Sequence, residues 1–393
     1  MNPVYIYISP YDILRPRTNQ VSDVRFCDGF IQNNRELHLI VPFVQREDNI
    51  KKEDVFSIYG ISNKINIHYI PTGLKSDVSG KWNTIKIAVR VYWEIRKIIK
   101  SLPKGTKVKI ISRSIPQLYP VLKYNSIFSK SSNKTEAIYW AHDLKKRKSY
   151  LKAYVKCDYI LATNQSILND LCKESSYPIS RTLTTSNPIT EEQSLEEVNK
   201  SESRKIVKLE SQSRPLIVYT GKLAIDYNLE TEYILKAAQQ CKDYDFLFTG
   251  GKPEAVKYWK EKCAKQGIDN TIFTGYIPDY RIIKHYQRSA DVLISYYTKQ
   301  GHDIKYNLPN KICEYMLTGN VIVTPNYPPT SELLSEENCW FAAPEDENSL
   351  TKTLKTAIEN KEQSIKKAQL AREIVLKNTF TQKVKQVLDF IEK

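Results

Sequence analysis

The stretch LIVYTGKLAIDYNLETEYILKAAQQCKDYDFLFTGG, Leu216–Gly251, decides the fold. Leu216–Tyr219 is a short unbroken apolar run closed by Thr220-Gly221-Lys222. A run of that length predicts a strand buried on both faces, as in a parallel sheet. Leu229–Gln240 carries apolar residues at helical spacing, and Asp245–Thr249 is a second apolar run closed by Gly250-Gly251. Strand, helix and strand of these lengths predict parallel neighbours joined by a right-handed crossover.

The pattern repeats outward from there. Downstream, strands are expected at Thr271–Thr274, Asp291–Ser295, Val321–Thr324 and Trp340–Ala342. Between and after them lie helical stretches at Ala255–Gln266, Tyr280–Gln287, Asn310–Leu317, Glu347–Asn360, Gln363–Asn378 and Gln382–Glu392. Upstream, strands are expected at Val4–Ser9, Leu37–Phe43, Ile65–Ile70, Lys107–Ser112, Ala137–Ala141 and Asp158–Thr163. The Glu-, Ser- and Lys-rich stretch Thr190–Arg214 between the blocks reads as a surface helix or connector. The fold class is therefore α/β, with two Rossmann-like parallel-sheet domains, residues 1–188 and 189–375, facing across a cleft. The 393 residues, 41% of them hydrophobic, are enough for two cores. Ligands of such sheets bind at the carboxyl ends of the strands, so the residues just after each strand are the candidates.

Composition narrows the function. A net charge of +15 points to nucleic acid, an anionic membrane surface or phosphorylated substrates, or to a solvated basic surface. No recognisable nucleic-acid module accompanies it, so no nucleic-acid partner is expected. The seven cysteines are scattered, odd in number and without a CxxC, which argues against a disulfide framework or a zinc site. They fit a reducing compartment. Met1–Pro10 lacks a signal-peptide pattern and no run reaches transmembrane length, so a cytoplasmic protein is expected. Walker A, G-x-G-x-x-G and G-x-S-x-G sequences are absent.

The richest segment is Asn307-Leu-Pro-Asn-Lys-Ile-Cys-Glu-Tyr-Met-Leu-Thr-Gly319. Pro309 suits the first turn of a helix, whose free N–H groups and dipole favour a diphosphate. Glu314, about one turn in, can accept from ribose hydroxyls. Local physics alone favours an ordinary capped helix before a buried strand.

This segment resembles the donor motif of the retaining glycosyltransferase family 4, of the "glycosyl transferases group 1" type. The shared positions are Pro309, Lys311, Glu314, Tyr315, Met316 and Gly319. Tyr219-Thr-Gly-Lys222, Gly250-Gly251, Phe273-Thr-Gly-Tyr-Ile-Pro278 and Ala290–Ile294 resemble further family features in the same order, from Pro215 to about Lys393. The resemblance implies the GT-B fold, with an N-terminal acceptor domain, a C-terminal donor domain and a last helix, 376–393, packing back on the first domain. It implies a UDP- or GDP-sugar as substrate, no bound cofactor and no metal. Lys222 would neutralise the diphosphate, Glu314 would hold the ribose, and backbone near Tyr276 and Ile277 would meet the base. Gly221, Gly250, Leu308, Pro309, Asn310 and Lys311 would complete the donor site.

Two departures stand out. Tyr306 occupies the place of a glutamate common in the family eight residues before Glu314. Asp226-Tyr227-Asn228 follows Lys222 where a second cation is usual.

In the first block, Arg15-Pro-Arg-Thr18-Asn19-Gln20 lies where the family sets a loop against donor phosphate and acceptor. Thr18 and Asn19 are the candidates there, able to donate or to cap a helix. His142, after the Ala137–Ala141 strand, matches a family histidine that meets the donor sugar. Ser112-Arg113-Ser114 can bind an anionic acceptor. Lys81–Leu102 interleaves Lys and Arg with Trp82, Tyr92 and Trp93, as either a core-packing amphipathic helix or a helix on an anionic membrane.

The expected activity is transfer of a sugar to a saccharide or lipid-linked acceptor, with retention, in cell-surface polysaccharide or glycolipid synthesis. The setting would be cytoplasmic, at the inner face of the plasma membrane. The alternatives are a nucleotide-sugar epimerase of the same architecture and a catalytically inactive sugar-binding scaffold.

Overall fold

The computed structural model describes residues 2–14, 17–44, 52–61, 64–73, 81–128, 133–194, 196–197, 199–225, 229–299 and 303–393. It divides into two compact units, one of Met1–Ser186 with Phe380–Lys393 and one of Asn187–Thr379.

The first unit is a seven-stranded parallel sheet. Its strands are β1 (Val4–Ile8), β2 (Leu37–Phe43), β3 (Asn66–Pro71), β4 (Val108–Ser112), β5 (Thr135–Ala141), β6 (Tyr159–Ala162) and β7 (Thr182–Thr184), in the order β3-β2-β1-β4-β5-β6-β7. β1 and β4 are buried at every position, the signature of helices on both faces. Tyr7, Phe26 and Trp140 fill the centre, Phe26 stacking on Trp140 at 4.2 Å between centroids.

The last helix, Phe380–Ile391, belongs to this unit and lies on helix Thr18–Gln32. Gly29 makes the approach possible, because a Cβ there would come 2.7 Å from the Val384 side chain. Polar ties hold the helix end: Arg35 grips Glu392 through Nε at 2.8 Å and Nη2 at 2.7 Å, and Tyr5 donates to the same carboxylate. The buried Lys109 ammonium donates to the Ile391 carbonyl at 2.8 Å and pairs with Glu136.

The second unit is a six-stranded parallel sheet of β8 (Leu216–Thr220), β9 (Asp245–Thr249), β10 (Thr271–Gly275), β11 (Val292–Ile294), β12 (Val321–Pro325) and β13 (Trp340–Ala342). Their order is β10-β9-β8-β11-β12-β13, so the strand order reverses beside β8, as it does beside β1 in the first unit. The expected two parallel α/β sheets are thus present.

Strand β7, which the residue pattern missed, lacks an apolar signature. β7 is half-buried throughout and reads Thr-Leu-Thr. Helix Lys200–Ile206, inside the expected connector, is held by ions: Lys200 and Arg204 meet Asp291 at 2.6 and 2.9 Å, and Asn199 caps its start.

Helix Lys81–Ser101 has one packed face and one exposed face. It buries Ile87, Val91, Ile95 and Ile98, yet exposes Ile85, Val89 and Trp93 at fourfold spacing among Lys86, Arg90 and Lys97. The Trp82 side chain is outside the described residues. Among the described residues, no helix is long and apolar enough to cross a membrane.

Candidate functional site

At the carboxyl edge of the second sheet, three strand ends are joined through glycine. Gly221 N–H donates to the Thr249 carbonyl at 3.0 Å, and Gly250 N–H to Gly275 at 2.9 Å. Gly250 has φ +122°, and a Cβ on it would lie 2.0 Å from the Gly221 oxygen. No side chain fits that place or that conformation. Gly250→Ala is expected to cost this unit about 3 kcal/mol or more. Its denaturant midpoint measures that, and a loss under about 1 kcal/mol would mean the junction is not as tight as the geometry requires.

Helix Asn310–Leu317 starts beside this junction, with Pro309 as its cap residue and no side-chain cap. Lys311 reaches back under the glycines. Its Nζ lies 4.2 Å from the Tyr219 ring centroid and 5.1 Å from that of Tyr297. A Cβ on Gly221 would come 2.8 Å from it. Burial pushes the Lys311 ammonium down, against the attraction of Glu230 and Glu314. No ion pair or hydrogen bond satisfies it among the described residues. An enclosed cation with only aromatic faces beside it is costly unless an anion joins it.

Glu314 lies one turn further along the same face. Gln287 Nε2 donates to it at 3.1 Å and to Thr220 Oγ1 at 3.2 Å. Tyr280 also bonds it, and burial first, then the Glu314 charge and this bond, push the Tyr280 phenol well up. Tyr315 Oη receives the Thr220 N–H at 2.9 Å, tying the helix to β8.

The other expected donor residues are placed as follows. Lys222 is exposed on the loop after β8, and Asp226, Tyr227 and Asn228 lie outside the described residues. Tyr276, 74% exposed, and the half-buried Ile277 follow the end of β10. Tyr306 is half-buried in a turn that returns its N–H to the Asp303 carbonyl at 3.1 Å. His302 is outside the described residues. The Leu308 side chain is in the core, and its carbonyl, like the Asn310 Oδ1, accepts from Asn187 at 3.2 and 2.9 Å. Leu308 thus has only its N–H left for a phosphate, and the Asn310 side chain is already engaged.

Residue reading missed Gln287, Tyr219, Tyr297, Tyr280 and Glu230. Gln287 had one sequence signal: a polar residue on the inward face of helix Tyr280–Ser289.

The carboxyl edge of the first sheet carries a second cluster. Asp23, fully buried, accepts from Tyr7 at 2.9 Å, Ser9 at 2.7 Å and Arg113 at 3.0 Å. Burial pushes the carboxyl up, against the pull of these donors. Arg113 extends to Asn19 Oδ1 at 3.3 Å and lies over the Tyr11 ring. It is therefore already paired with Asp23. Thr18 opens helix Thr18–Gln32, but the cap residue is Arg17 and its side chain makes no capping bond. Arg15 and Pro16 are outside the described residues.

His142 follows β5, edge-on to Trp140 at 4.4 Å, with its Nε2 buried and without a partner. Burial, then the Arg113 charge, push its imidazole well below the ordinary range, so it is neutral at pH 7. The unfolded chain takes up that proton below about pH 6.5 and the folded chain does not. Stability is therefore full above that pH and falls beneath it, by up to ~1.4 kcal/mol per unit from this group. His142→Gln should flatten melting temperature against pH between 7 and 5, and an unchanged slope would remove the assignment.

Among the described residues, no group of three or more His, Cys, Asp or Glu is placed to hold a metal.

Known proteins share this architecture. HepE of Anabaena in complex with UDP superposes with a TM-score of 0.71 at 13% identity, over 99% of each chain. A glycosyltransferase from Rickettsia africae ESF-5 gives 0.72 at 13% identity, over 100% of this chain and 99% of its own. Sucrose-phosphate synthase from Thermosynechococcus elongatus gives 0.70 at 11%, over 99% of each. No curated protein sequence matches the chain. Residues 214–360 match the family model described as Glycosyl transferases group 1, and the two parallel-sheet units have the GT-B fold.

Proposed function

We propose that the chain transfers a sugar from a nucleotide-sugar donor, a UDP-sugar first among them, to a saccharide or lipid-linked acceptor. The observation that carries this reading is the enclosed Lys311 ammonium beside the glycine junction, unpaired among the described residues and one helical turn from Glu314. A diphosphate supplies the missing counter-charge, and a ribose next to it meets Glu314. UDP heads the candidates because HepE, which shares the fold, is solved with UDP and with UDP-glucose.

In this reading, Lys311 and Lys222 stabilise the negative charge that develops on the departing nucleoside diphosphate, aided by the start of helix Asn310–Leu317. Gln287 positions Glu314 and takes no part in the reaction. The N-terminal unit takes the acceptor, and the neutral His142 offers its unpartnered Nε2 to a sugar hydroxyl. Retention, as in family 4, and a role in cell-surface polysaccharide or glycolipid synthesis follow from the resemblance. The Ile85, Val89 and Trp93 stripe among cations suits an anionic membrane at its cytoplasmic face. Flotation with anionic vesicles tests that surface, and loss of flotation in Trp93→Ser supports it. Flotation independent of lipid charge and salt counts against it.

Thermal shift with UDP, GDP, ADP, CMP and dTDP tests the donor site. A ligand at about 100 times its Kd adds roughly 2.7 kcal/mol. One nucleoside diphosphate should stabilise the chain, and Glu314→Ala should weaken it about tenfold or more. No shift with any of the five removes the proposal, whereas a shift without transfer to any acceptor favours the sugar-binding scaffold.

A further inference from the structure

We propose that the C-terminal unit carries a second anion site, at the amino edge of its sheet, that takes a phosphate monoester. A cavity of about 350 Å³ opens there, against the starts of β8, β11 and β12 and between helices Lys200–Ile206 and Lys361–Leu376. That is the size of a small-molecule site. It lies at the opposite end of the strands from Lys311 and Glu314, so it is separate from the donor site.

The charge of this cavity is built and incompletely answered. Lys200, Arg204, Arg214 and Lys361 line it. Asp291 takes both Lys200 and Arg204, and Asp245 lies 3.5 Å from Arg214. Four cations against two carboxylates leave two positive charges, matching a phosphate dianion. Lys361 has no carboxylate partner among the described residues, and its charge bears on Lys200, whose ammonium burial pushes down.

Geometry adds to charge. Helix Lys361–Leu376 runs 16 residues and starts at the cavity without a side-chain cap. Its first-turn N–H groups and dipole favour an anion there. Ala357, Ile358 and Ala368 also line the cavity and give it apolar surface, against which the carbon skeleton of a phosphate ester can rest. The shared ligand chemistry is therefore a phosphate monoester with an apolar or sugar portion.

The test uses the full chain in low salt, with inorganic phosphate, glucose 6-phosphate and phosphatidic acid vesicles as probes. Lys361→Glu and Arg214→Gln change exposed side chains, so both variants should fold. The expected result is thermal stabilisation by the soluble phosphates that becomes about tenfold or more weaker in each variant and persists in Lys311→Met. Stronger stabilisation by glucose 6-phosphate than by phosphate assigns a soluble metabolite. Flotation with phosphatidic acid vesicles that Lys361→Glu abolishes assigns a lipid headgroup. No response to any of the three probes overturns the site. So does a response kept in both cavity variants, or one lost in Lys311→Met, which places the anion at the donor edge. Because Lys311→Met is a separate arm, the test stands whether or not a nucleotide binds.

Discussion

Arg113→Met is expected to destabilise the N-terminal unit by about 3–5 kcal/mol. Asp23 is fully buried and the Arg113 side chain is only 7% exposed, so their 3.0 Å ion pair is shielded from water. Among the described residues, removing the guanidinium leaves the carboxylate with only Tyr7 and Ser9 for support. Burial already pushes that carboxyl up, and the loss of Arg113 removes the first of the opposing forces. The carboxyl would then take up a proton or unfold the site. Asp23→Asn in the same chain should recover most of the loss, because a neutral amide can be served by the two hydroxyls. Denaturant unfolding of the single and double variants measures this. A single variant that costs under about 1 kcal/mol, or a double variant no better than the single, would show that Asp23 does not depend on Arg113.

Lys311→Met should lower turnover about 10²–10³-fold, the loss seen when one group that stabilises developing negative charge is removed. The same variant should lose its thermal response to the nucleoside diphosphate. Without ligand it should be no less stable than the parent. Methionine keeps the packing on Tyr219 and Tyr297 while removing a desolvated charge that forms no ion pair among the described residues. This pairing of outcomes separates a ligand-facing cation from a structural one. A structural lysine would lose stability on substitution and leave the response per bound nucleotide intact. If Lys311→Met kept full turnover, the diphosphate would have to be met by Lys222 and the backbone alone.

The residues alone determined the class of this protein because its signals are local. Unbroken apolar runs closed by glycine mark buried parallel strands wherever they occur, and β8 and β9 could be read with no knowledge of their neighbours. Gly250 was legible as a strand-end glycine, and Pro309 through Gly319 as a helix between a loop and a strand. Strand β7 was not legible, because it is held by edge pairing instead of an apolar face.

Only the tertiary structure decided the environments. Lys311 and Tyr219 are 92 positions apart, yet packing of the helix under β8 puts the ammonium on the ring. Gln287 reaches Glu314 from another helix, 27 residues away. Asp23 and Arg113 meet across 90 residues because β1 and β4 are neighbours and Arg113 follows β4 directly. Spacing along the chain determines which residues share an element. Desolvation and pairing depend on what the fold brings from elsewhere, and these set the charge that a side chain can offer a ligand.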